Sequence, residues 1–308
     1  AFFMDLPLLS DLDNEAAGYV AAQTKPWPGS VLGYRSITTS NFGLNFSLSQ
    51  NAVVGATLFP FYNGPTHVFD TVNQLIIEIA EGELSSVSEL EVLGGSNVCA
   101  LQNADGEWEL LQFQNAELIA TRQYKLTKLL RGQLGTELQM RTPLAAGATF
   151  VFLTGGTVRQ VGMSYNDIGV AYNYKYGPGV RAINDASYKD QTYTFRGVAR
   201  RPYAPVHPRL AKVSNDLVLS WTRRSRIGGD SWDAQEVPLG EEYEAYDLDI
   251  YNAAATAIVR SVRVNSPTYT YTQASYTADF GAQPGALHVA IYQVSPYGRG
   301  SQLKTWVN

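Results

Sequence analysis

Leu217-Val218-Leu219-Ser220-Trp221 and Tyr246-Asp247-Leu248-Asp249-Ile250 decide the fold of the chain's last third. In both, one set of apolar residues recurs at every second position, the period that lines one face of a β-strand. Val259 to Val264, Tyr269-Thr270-Tyr271 and Leu287 to Val294 repeat the pattern downstream. About 100 residues with seven or so short strands and no helix signal predict a β-sandwich. Trp221, on its second strand, and Tyr246, on its third, are predicted to pack the core.

Upstream, Arg200-Arg201-Pro202-Tyr203-Ala204-Pro205-Val206-His207-Pro208 reads as the boundary. Its prolines fix φ and favour an extended, stiff linker. Two parts follow, residues 1–200 and 201–308, the first being one domain or two subdomains. Its segments Gly18 to Ala22, Val53 to Phe61, Leu75 to Ile79 and Thr149 to Leu153 read as strands. Trp108 to Phe113 is predicted to form a hairpin with Val98 to Leu101 across the turn Asn103-Ala104-Asp105-Gly106. Ser86-Val87-Ser88-Glu89 fits a capping box, and Gly94-Gly95 stops the short helix that follows. Thr136-Glu137 reads as another single turn. The fold class is mainly β.

The chain has 308 residues, 19 of them Tyr, with 27 Gly, 14 Pro and 17% charged residues, which suits short strands and many turns rather than bulk disorder. A net charge of −5 argues against nucleic acid as a partner. The single cysteine, Cys99, leaves no internal disulfide. No apolar run approaches the roughly 20 residues of a membrane helix, so membrane insertion is not expected. Ala1-Phe2-Phe3-Met4-Asp5-Leu6 has no basic region and is broken by Asp5, so it does not read as a signal peptide. Without an initiator Met, it reads as a piece of a longer polypeptide.

Reactive constellations are sparse. His67, His207 and His288 are far apart, and no metal-ligand spacing links them. Cys99 reads as a buried thiol. No nucleophile elbow, P-loop or dinucleotide fingerprint is present. The acids that could make a glycosidase pair are Glu78 with Glu81 and Glu83, Glu107 with Glu109, and Glu241 with Glu242 and Glu244. Neither an enzyme, nor a cofactor, nor a metal site is expected. The binding candidates lie in the polar run between the second and third sandwich strands, at Arg223, Arg224, Arg226 and Trp232. Arg and Trp at a loop tip suit a partner interface. Equally, these arginines could pair with Glu241, Glu242 and Glu244 and hold the loop on the sheet. The run Tyr165, Tyr172, Tyr174, Tyr176, Tyr188 and Tyr193 reads either as a sugar-binding face or as strand residues in a core.

Leu129-Leu130-Arg131-Gly132-Gln133-Leu134-Gly135-Thr136-Glu137 resembles the "LLRG–GTE" signature of phage tail tip proteins, with Gln133-Leu134 where two basic residues often stand. Met4 to Leu9, Ala52 to Leu58, Gly94 to Asn97, Gln112 to Ala116, and the arginine run with Val237-Pro238-Leu239-Gly240-Glu241-Glu242 and Tyr246 extend the resemblance in order. Together they resemble the large baseplate, or host specificity, protein of gene transfer agents and siphophages. That resemblance implies a strand-rich, tail-hub-like region from the C-terminal part of a large virion protein. It implies tail tip assembly in the bacterial host cytoplasm, often as a homotrimer, with other tail tip or baseplate proteins and the bacterial host surface as partners. The last part resembles a fibronectin type III module, with Leu287 in place of the usual corner tyrosine. In the turn itself, Gly132 and Gly135 supply backbone freedom, and Arg131 is placed to grip a carboxylate at two points. The alternative function is a carbohydrate-binding module for bacterial envelope polysaccharide.

Overall fold

The computed structural model describes residues 1–229 and 236–308. The chain is mainly β and divides into two compact units, Ala1–Ala199 and Arg200–Asn308.

In the first unit the strands are β1 (Phe2–Met4), β2 (Tyr19–Ala21), β3 (Val31–Ser36), β4 (Gly43–Leu48), β5 (Val54–Thr57), β6 (Leu75–Ile79), β7 (Val98–Gln102), β8 (Trp108–Ala120), β9 (Gln123–Leu130), β10 (Thr149–Phe152), β11 (Val158–Gln160), β12 (Ala171–Pro178) and β13 (Lys189–Thr194). Six of them close into an antiparallel barrel in the order β10-β5-β6-β9-β8-β7. The barrel is an insertion. The chain before it and after it builds a three-stranded sheet, β1-β2-β11, and a four-stranded sheet, β13-β12-β3-β4.

Period-two alternation welds these pieces together. In β1 and β2, Phe2, Met4, Tyr19 and Ala21 face the barrel wall, where they meet Val54, Ala100, Trp108, Leu110 and Val151. Phe3, Val20 and Ala22 face the other way, onto Val31, Phe46, Leu48, Tyr174 and Phe195. The three-stranded sheet is therefore a middle layer, buried on both faces. This accounts for the unbroken apolar run Gly18 to Ala22. Phe3 is the hub of its side, with ring centroids of Tyr174 at 4.6 Å and Tyr193 at 5.3 Å. Inside the barrel, Leu75, Ile77 and Ile79 of β6 meet Leu111, Phe113, Leu126 and Phe150.

The predicted hairpin pairs as expected, Cys99 opposite Leu111 and Leu101 opposite Glu109. The capping box lies two residues later than the sequence reading placed it. Ser88 caps α1 (Glu89–Leu93) and Glu91 reaches back to it. Ser86 instead bonds the backbone of Ala116 and covers the edge of β8.

The second unit is a sandwich of β14 (Val206–Val213), β15 (Asp216–Thr222), β16 (Tyr246–Tyr251), β17 (Ile258–Val264), β18 (Thr268–Tyr271), β19 (Leu287–Ser295) and β20 (Gly298–Val307). Its sheets run β14-β15-β18 and β17-β16-β19-β20, the fibronectin type III order. Trp221 and Tyr246 meet edge to face at 5.2 Å in its core.

Two sequence expectations change here. The proline run is not a free linker: Ala204 and Pro205 are buried, Ser301 N–H donates to Pro202 O at 2.8 Å, and His207 lies within β14. A helix does occur, α2 (Gln273–Phe280), capped by Thr272 and ended by Gly281 in the left-handed region. Its Tyr276 hydroxyl donates to Asn215 O at 2.7 Å, so a tyrosine ties the far connection back to the first turn even though Leu287 is apolar.

Phe3→Ala removes the hub of five ring contacts and is expected to destabilise the first unit by about 3–5 kcal/mol. Denaturant unfolding monitored on that unit measures this, and a change under about 1 kcal/mol contradicts the two-sided packing.

Candidate functional site

The signature run turns at one end of the barrel, where β5, β7 and β9 finish and β6, β8 and β10 begin. Gly132 has φ +59°, and a Cβ there would stand 2.9 Å from Glu137 Cα, so glycine is required by both backbone and space. Leu134 takes a left-handed φ of 52° as well, at a cost of about 1 kcal/mol. Thr136 Oγ1 accepts the Leu110 N–H at 2.9 Å and locks the turn to β8.

Arg131 grips a carboxylate at two points, as its place in the turn suggested. Its Nε and Nη2 donate to the two carboxylate oxygens of Glu109 at 2.5 and 2.9 Å. Its Nη1 donates to Tyr62 O at 2.9 Å, and its guanidinium stacks over Phe61 at 4.0 Å. Asp70 lies 3.8 Å away and takes the Val72 and Asn73 N–H groups. All three charged residues are at most 2% exposed. Together with Phe61 they plug the barrel end. The sequence named Glu109 only as one acid of a pair with Glu107. Its parity with Leu111 and Phe113 was the signal that it points inward.

Most acids of the sequence reading are already engaged. Glu107 is gripped by Arg141 rather than facing Glu109 across a cleft. Glu78 pairs with Arg122, Glu81 with Lys25, and Glu244 accepts the Tyr246 hydroxyl. Cys99 is buried inside the barrel, and desolvation pushes its thiol pKa well up. Among the described residues, no group of three or more His, Cys, Asp and Glu could hold a metal ion. Among the described residues, no helix is long and apolar enough to cross a membrane.

In the arginine loop, Arg223 donates to Pro238 O at 2.7 Å and to Val237 O at 2.5 Å. Arg226 turns inward onto Glu241 at 2.7 Å, with both side chains almost wholly buried. Arg224 sits over the Tyr203 ring at 5.1 Å. These three arginines brace the loop internally. Trp232 lies outside the described residues.

The tyrosine run faces mostly inward. Tyr174 and Tyr188 are buried, and Tyr176 and Tyr193 pack beside Phe3 or Val31. The Tyr172 hydroxyl donates to Asp167 at 2.6 Å, and Arg35 donates to the same carboxylate at 3.1 Å. Desolvation pushes the Asp167 pKa up, but the Tyr172, Ser164 and Arg35 donors outweigh it and hold it down at about 2. Tyr165 alone of the run is largely exposed.

The outer face of the second unit's four-stranded sheet was not singled out in the sequence. There Asp247 and Asp249 are buried beneath arginines: Arg263 and Arg299 grip Asp247, and Arg299 also grips Asp249. Next to them His288 stacks on Trp306 at 4.7 Å.

Residues 52–151, the inserted barrel, match the family model Rcc01698-like, C-terminal. No curated protein matches the chain. Among solved structures, domains A168–A170 from titin are 13% identical, covering 94% of this chain and 81% of that one at a TM-score of 0.26. A two-domain fibronectin type III segment from chicken tenascin is 9% identical, covering 82% and 98% at 0.25. Chicken CNTN1 FN1–FN3 domains are 13% identical, covering 82% and 64% at 0.25. The sandwich assignment rests on the strand order.

Arg131→Met leaves Glu109 buried and unpaired, so a loss of about 3–5 kcal/mol is expected, with much of it recovered in Arg131→Met/Glu109→Leu. Thermal unfolding of the three proteins measures this. A single variant as stable as the parent refutes the plug. Asp167, depressed in the folded state, stabilises fully above the unfolded carboxylate value near 4 and loses that contribution as pH falls towards about 2. Asp167→Asn is therefore expected to flatten the acid side of the first unit's stability profile, and an unchanged slope there contradicts it.

Proposed function

We propose that the chain is a structural component of the tail tip or baseplate of a phage or phage-like particle, contributing to host attachment through protein–protein or envelope contact. The observation that carries this reading is the ordered series of motifs from about residue 4 to about residue 250, centred on Leu129 to Glu137. The signature residues do architectural work: Arg131 plugs the barrel and Gly132 permits the turn. Most of the candidate reactive acids are engaged, and the thiol is buried.

An assembly role needs contact surface. Loops 58–74 and 132–141 meet at the plugged end, where a bridge joins Thr66 to Arg131. They carry Phe59, Tyr62, Val68, Val72, Leu134 and Leu138 exposed. A concentration of large apolar side chains of this kind suits packing against another subunit. In this reading the partners are other tail tip proteins and further copies in a trimer, and the sandwich unit faces the host. The alternative, a carbohydrate-binding module, finds little support in the tyrosine run, which is spent largely on the core.

Imaging of intact particles carrying this chain tests the proposal. Three-fold density at the tail tip that accommodates the inserted barrel and its two sheets is expected. Label on the sandwich unit found away from the tip overturns it.

A further inference from the structure

The strands that bear the tyrosine run have a second face. Alternation turns Tyr174 of β12 into the core, and so turns Asn173 and Lys175 outward. Across the ladder stand Thr192 and Asp190 of β13. The connection between β3 and β4 rises beside them: Asn173 Nδ2 donates to Thr38 O at 3.1 Å, and Lys175 Nζ lies 5.7 Å from the Phe42 ring centre. Together they line a cavity of about 340 Å³, within the size range of small-molecule sites.

Its chemistry is specific. Lys175 Nζ is 2.8 Å and 3.1 Å from the two Asp190 carboxylate oxygens, so the two charges cancel within the cavity. Nothing in that balance favours a phosphate, a uronate or a cation. Thr192 Oγ1 donates to Asn173 Oδ1 at 2.9 Å. The amide and the carboxylate keep hydrogen-bonding capacity beyond these bonds. Donors and acceptors thus alternate on neighbouring strands, about 5 Å apart, beside one aromatic wall. Vicinal hydroxyls on a ring with an apolar C–H face match that arrangement, since a neutral polyol satisfies paired donors and acceptors without bringing charge.

We propose that this cavity binds a neutral saccharide ring, its hydroxyls held by Asn173, Lys175, Asp190 and Thr192 and its apolar face against Phe42. The site lies in the first unit, outside the residues singled out in the sequence. It goes beyond the tail tip reading and does not rest on it.

Backbone amide shifts of the full chain, titrated separately with glucose, galactose, rhamnose and N-acetylglucosamine, test the proposal. At least one sugar is expected to give saturable shifts confined to residues 38–42 and 173–192. Asp190→Asn, Thr192→Val and Phe42→Ala are each expected to weaken that binding about tenfold or more, a factor worth roughly 1.4 kcal/mol. Trp306→Ala, on the other unit, is expected to leave it unchanged. Both Asp190 and Thr192 are exposed, so loss of fold does not confuse those two variants. Absence of saturable shifts with all four sugars overturns the proposal. So does binding indifferent to the three variants, or tighter binding of galacturonate or glucose 6-phosphate than of the neutral sugars. None of these outcomes touches the particle imaging that decides the tail tip reading.

Discussion

Everything in the first unit depends on two very short strands being apolar on both sides. β1 and β2 are each three residues long, yet their alternate side chains enter different cores. A strand of this length has too few hydrogen bonds to persist alone. What holds it is burial from above and below. In return it joins a closed barrel to an open sheet that otherwise shares no strand with it. Shifting either strand by one residue would exchange its two faces and mismatch both cores together, so register is fixed with unusual strictness.

The sandwich was the most legible part of the sequence, because Leu217, Leu219 and Trp221, and then Tyr246, Leu248 and Ile250, each declare a buried face by spacing alone. The barrel was legible strand by strand but not as a barrel. Closure joins β10 to β5 and β7, pairings about 90 and 50 residues apart that no local pattern encodes. The insertion was hidden for the same reason. α2 escaped because its apolar residues form no clear stripe, although Thr272 and Gly281 were visible as cap residues. Asp247 and Asp249 looked like ordinary outward acids, and nothing nearby in sequence disclosed that Arg299, some fifty residues on, would cover them.

At the candidate sites the residue types were readable but their targets were not. A lone arginine just before the glycine turn suggested a two-point grip on a carboxylate. Which carboxylate depended on the hairpin register that brings Glu109 inside. The arginine loop and the tyrosine run each had a structural and a functional reading, and the described side chains mostly serve the structure. Buried ion pairs of this sort add little net stability but are costly to break. They therefore act more as constraints on arrangement than as sources of energy.

The insertion has a mechanical consequence. The barrel's entry strand β5 and exit strand β10 are hydrogen-bonded neighbours, Gly55 opposite Phe150. Tension applied along the backbone of the first unit is therefore short-circuited across the mouth of the insertion. It runs through the pairings of β2 with β11 and of β3 with β12. The barrel hangs beside the load path like a pendant on a chain, and stretching the unit need not deform it.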